Sequence, residues 1–142
     1  MKRFKFRLQT VLEHRERIRD QAKAELLKAN QALSEAQDEL TRLGQLELEN
    51  SLLIQEVIPV ANVLLNNQIA QGLRQRIGDQ RALIILKEED VAKAMEVYLE
   101  ASKELKAVNT LKERKLQDFN KVMAEKEAAF FDELATQRAA RR

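Results

Sequence analysis

The chain has 142 residues, of which 34% are charged and only 4% aromatic, with no Trp, three Gly and one Pro; this excludes a globular core several layers deep, because that charge density could not be buried without partners. Cysteine is absent, which removes disulfides, thiolate metal sites and cysteine nucleophiles and fits a reducing compartment. The net charge of +2 is unevenly spread: residues 1–19 hold seven Lys/Arg against Glu13 and Glu16, residues 20–58 are net acidic, and Arg138, Arg141 and Arg142 make the end basic again.

Hydrophobic content of 44% is too high for a disordered chain and points to a thin apolar seam. The length predicts one structural unit over residues 1–142, a single coiled-coil domain. The opening MKRFKFRLQTVLEHRERIR has the charge of a secretory leader but no apolar stretch after it, so no leader is expected.

A first helix is predicted over about residues 2–56. Its stripe runs Phe4, Leu8, Val11, polar Arg15, Ile18, Ala22, Leu26, Ala29, Leu33, Ala36, Leu40 and Leu43, with the steps of 3 and 4 that hold one helix face. Two successive steps of four, Ile18 to Ala22 to Leu26, insert a local stutter. Pro59 is the strongest breaker, since it lacks a backbone donor and restricts Ile58, so a turn is predicted at about 57–61. The uncharged stretch around it contains Pro59, Asn62, Asn66, Asn67, Gln68, Gln71 and Gly72 and is too polar to span a membrane.

A second helix is predicted over about residues 62–140. Its stripe reads Ile69, Leu73, Ile77, Ile84, Val91, Ala94, Tyr98, Ala101, Leu105, Val108, Leu111, Leu116, Phe119, Met123, Phe130 and Leu134, interrupted by Lys87, Lys112 and Lys115. Two stripes joined by one short break can bury each other, so the predicted fold is all-α: a long antiparallel two-helix coiled-coil hairpin whose second helix outlasts the first. At 1.5 Å per residue the arms would span roughly 80 Å and roughly 120 Å. The N-terminus should then meet residues near 115, leaving about the last 25 residues without a partner in the chain, although they display Phe130, Phe131 and Leu134.

The motifs of catalysis are missing: there is no phosphate-binding loop, dinucleotide fingerprint, zinc-protease motif or nucleophile elbow. His14, the single histidine, cannot make a histidine-rich metal site, and Glu88, Glu89 and Asp90 point in different directions on a helix. No catalytic residue, metal or cofactor is therefore expected. The basic N-terminus could grip phosphates, but Phe4, Phe6, Leu8, Val11 and Leu12 interleave with its cations and suit a protein groove better than nucleic acid.

The opening F-x-F-x-L-x-x-V-L-x-x-R, formed by Phe4, Phe6, Leu8, Val11, Leu12 and Arg15, together with SKELK, LKERK, Phe119 and the closing FFDELATQR, resembles the flagellar export protein FliJ family. The two ends match in the family's order. The resemblance implies an antiparallel two-helix component of the bacterial flagellar type III export apparatus, cytoplasmic and peripheral at the inner membrane. It would act as a central stalk of the hexameric export ATPase, reach the membrane export gate and bind substrate chaperones. Carried over by position, the ATPase-ring contacts would be Phe4, Phe6, Leu8 and Arg15 with Asp132, Glu133 and Arg138, and a gate contact would involve Leu65, Ile69, Leu73 and Ile77. The alternatives are an injectisome stalk, a nucleic-acid-binding coiled coil whose affinity would fall steeply with salt, and a plain spacer.

Overall fold

The computed structural model describes residues 2–54 and 59–141. They form two helices, α1 over Gln9–Ile54 (46 residues) and α2 over Val60–Ala140 (81 residues), with no strand among the described residues. The helices pack against each other antiparallel, so the all-α hairpin with a longer second helix is the fold the chain adopts. Of the turn expected at 57–61, residues 57 and 58 lie outside the described residues. Pro59 caps α2 instead of entering it: its carbonyl accepts from the amides of Asn62 (2.9 Å) and Val63 (3.2 Å). α2 therefore starts at Val60, two residues before the expected 62.

The start of α1 needs a larger correction, since the helix expected from about residue 2 begins at Gln9. Phe4, Phe6 and Leu8 are half-buried while Arg3, Lys5 and Arg7 are exposed. Alternation with a period of two does not fit a helix, and residues 2–6 have no regular structure while Arg7 and Leu8 form a turn. Lys2, Arg3, Lys5 and Arg7 would also crowd like charge onto the positive end of the helix dipole, where acidic residues are favoured. The chain becomes helical only after these cations, with the Gln9 amide bonded to the Phe6 carbonyl at 3.1 Å and the Leu12 amide to the Leu8 carbonyl at 2.9 Å.

The chain gathers into two compact units, Gln21–Leu99 and Met1–Asp20 with Glu100–Arg142. In the first, the seam is a strict seven-residue repeat. Ala22, Ala29, Ala36, Leu43 and Asn50 carry it on α1; Ala70, Ile77, Ile84, Val91 and Tyr98 on α2, with Asn66, Leu73, Gln80, Lys87 and Ala94 between them, and all are buried or half-buried. Leu43 (3% exposed), Leu73 (8%) and Ile77 (7%) form its tightest cluster, flanked by Leu40 and Leu46. The repeat overrides hydrophobicity: it admits Ala70 where the sequence favoured Ile69, which is left exposed. Gln80 and Asn50 are accommodated because each donates to a backbone carbonyl across the seam, Gln80 Nε2 to Ala36 at 2.8 Å and Asn50 Nδ2 to Asn66 at 3.4 Å. On the outer face Arg42 donates to both carboxylate oxygens of Glu39, which holds that carboxyl below its usual range.

In the second unit, Leu12, Ala101 and Leu105 are buried. The α1 stripe passes through Leu12, not the expected Val11, which stays 39% exposed. On α2 the repeat takes Lys112 in place of Leu111; a lysine can bury its stem and keep its ammonium in water. Arg15 forms an ion pair with Glu104 across the seam, so the polar gap in the first stripe has a partner. Met123 is the last half-buried residue of α2, and every residue from 124 to 141 is exposed.

Candidate protein-binding groove and the end of α2

The alternating segment before α1 places three apolar side chains on one side, and α2 supplies the opposite wall. Leu111, Lys115 and Phe119 succeed one another at intervals of four and so lie along one face of that helix. Between the walls runs a groove of about 650 Å³, lined by Phe4, Phe6 and Leu8 opposite Leu111, Lys115 and Phe119, with Arg3, Lys5 and Arg7 at its edge. The walls are joined by one aromatic pair: the Phe4 and Phe119 rings are 5.6 Å apart and inclined at 53°, an arrangement with favourable quadrupole contact beyond simple burial. The floor is apolar and the rim cationic. It suits a ligand that offers hydrophobic side chains and carboxylates together.

Of the expected ring-contact residues, Phe4, Phe6 and Leu8 meet in this groove, and Arg15 lies on α1 bound to Glu104. Asp132, Glu133 and Arg138 do not join them. They are exposed on the last turns of α2, and Asp132 lies about 20 Å along the helix from Phe119. Phe130 (58% exposed) and Phe131 (59%) stand beside them with their rings 6.0 Å apart. Leu111, Lys115 and Phe119 complete the groove although the sequence did not mark them as site residues; the signal was their spacing of four on a face that diverges from the seam.

The expected gate residues divide. Leu65 (55%) and Ile69 (44%) are exposed, whereas Leu73 and Ile77 are buried against Leu43 and cannot share a surface with them. Leu48, Leu52, Leu53, Val60 and Leu64 are, like Leu65, large apolar side chains left exposed. His14 and the acidic run Glu88, Glu89 and Asp90 are exposed. Among the described residues, no helix is long and apolar enough to cross a membrane.

An antiparallel helical hairpin with a heptad seam and an apolar, cation-rimmed groove defines a two-helix coiled-coil protein. The family is more specific than the class. The model of the flagellar FliJ protein family matches residues 4–142, and the chain belongs to that family. No curated protein and no solved structure gives a significant match. Membership assigns the chain to flagellar type III export as a stalk-like component, of a family that is structural and not catalytic.

Proposed function

We propose that this protein is the central stalk of the flagellar export ATPase, binding the hexameric ring through the groove of Phe4, Phe6 and Leu8 and through the end of α2 that carries Asp132, Glu133 and Arg138. The observation that carries the reading is the groove itself, where half-buried phenylalanines sit among cations on a segment that is held to α2 by the Phe4–Phe119 pair. Apolar anchors surrounded by charge are the surface expected of a protein partner. The stalk has no chemistry of its own in this account: it promotes assembly and turnover of the ring, links it to the export gate through exposed Leu65 and Ile69, and receives substrate chaperones. It works in the cytoplasm, at the inner membrane through its partners. A nucleic-acid role is disfavoured by the placement of the N-terminal cations, which rim an apolar groove instead of forming a polar face.

The test is the ATP hydrolysis rate of the cognate export ATPase with and without this protein and with a Phe4→Ala/Phe6→Ala variant. Stimulation by the wild type that the variant loses supports the stalk and locates the contact. Absence of both binding and stimulation rejects it.

A further inference from the structure

The unit formed by Met1–Asp20 and Glu100–Arg142 contains both the apolar, cation-rimmed groove and an exposed helix end. Their chemistries are complementary. Residues 2–8 and 111–119, which build the groove, carry seven Lys/Arg against Glu113 and Asp118. Within the exposed stretch, residues 125–134 carry Glu125, Glu127, Asp132 and Glu133 against Lys126 alone and present the exposed rings of Phe130 and Phe131, and the cations Arg138 and Arg141 lie beyond this segment. An acidic, aromatic helix is the type of ligand that an apolar groove with a basic rim selects.

The groove and the helix end of one molecule cannot meet. α2 is unbroken from Val60 to Ala140, so Phe130 is held about 16 Å beyond Phe119 along the same axis and cannot turn back. We infer that a second copy of this chain is the occupant: the 125–134 helix of each copy lies in the groove of the other, with Phe130 against Phe4, Phe6 and Phe119 and with Glu133 beside Lys115. Reciprocal docking of one surface closes a two-fold dimer and leaves no open contact to propagate. The helix ends then cross antiparallel near residue 124, just past Met123, the last half-buried residue before the exposed stretch. The dimer does not rest on the stalk reading. It does cover the surfaces assigned there to the ATPase ring, so ring binding and self-association exclude each other.

Sedimentation velocity of the full chain over a wide concentration range tests the inference. The wild type should pass from monomer to dimer as concentration rises, and salt should shift the transition upward because the rim contacts are charged. Phe130→Ser should raise the dimer dissociation constant by about a hundredfold, roughly tenfold for each of the two equivalent grooves. Phe130 is exposed in the single chain, so circular dichroism should show the variant's helices intact. Lys115→Glu and Glu133→Lys should each weaken the homodimer, while an equimolar mixture of the two should form a heterodimer in which both grooves again face an opposite charge. A chain that stays monomeric at every concentration overturns the inference. So does a dimer indifferent to Phe130→Ser, or one for which mixing the charge variants restores nothing.

Discussion

Replacing Leu43 by Ala probes the seam where it is tightest. The side chain is 3% exposed and packs on Leu73 and Ile77, so the substitution removes three buried carbons, worth about 2.4 kcal/mol at about 0.8 kcal/mol each. In a globular core the residual cavity would raise this to roughly 3–5 kcal/mol. Here the seam is a single layer between two helices, and half-buried Leu40 and Leu46 flank the gap. They can close over it, so the cavity contribution should be small and the total about 2.5–3 kcal/mol. The assay is urea denaturation followed by far-UV circular dichroism, beside a Leu52→Ala control. Leu52 is 55% exposed, and its replacement should change stability by less than about 0.5 kcal/mol. A loss below about 1 kcal/mol for Leu43→Ala, or one equal to that of the control, would refute the placement of Leu43 in a dry seam.

Phe4→Ala should leave helix content unchanged but speed tryptic cleavage within residues 2–8 by about two- to tenfold, the range of an aromatic pair's contribution; an unchanged rate would mean that the Phe4–Phe119 contact does not hold that segment. Gln80→Leu should keep stability within about 1 kcal/mol yet loosen the pairing of α1 with α2, read as a second crosslinking register in a scan of paired cysteines; a single register would deny Gln80 that role. A methyl at Gly78 meets no atom within 4 Å, so Gly78→Ala should stabilise α2 by up to about 1 kcal/mol in thermal melts, and a loss would show the site to be more crowded than described. The Glu39 carboxyl is held below its ordinary range chiefly by the hydrogen bond from Arg42. Its contribution should be present above the unfolded carboxyl value and vanish as pH falls through the folded one; Glu39→Gln should remove that small acid-limb dependence, and an unaltered acid limb would contradict it.

The helices were legible because their seam repeats every seven residues over long runs, and Pro59, a stronger breaker than Gly72 or Gly78, stands immediately before α2. What misled was ranking residues by hydrophobicity within the repeat. Ile69 and Leu111 looked better suited to the seam than Ala70 and Lys112, and Val11 fitted the step of three from Leu8 as Leu12 fits the step of four, but helix geometry decides which positions face inward. Gln80 and Asn50 became intelligible only once the carbonyls of Ala36 and Asn66 were seen opposite them. The start of the chain failed for a different reason. Phe4 and Leu8 fit a helical step of four, but Phe6 between them fits only alternation, and four cations disfavour a helix there. The groove depends on residues 3–8 lying beside α2, a contact between residues more than a hundred positions apart that no local pattern encodes.

The strict repeat also limits how the length of this chain can change over generations. Adding one residue within the seam of either helix turns everything beyond it by about 100°, moving Leu73 or Leu43 out to water and bringing charged neighbours in. Seven residues restore the facing pattern on the altered helix, but the partner then lacks a matching layer unless it gains seven as well. Tolerated insertions and deletions in the seam should therefore come as paired heptads, one in each helix. The exposed stretch after Met123 has no such tie to α1; its register matters only to what docks on it.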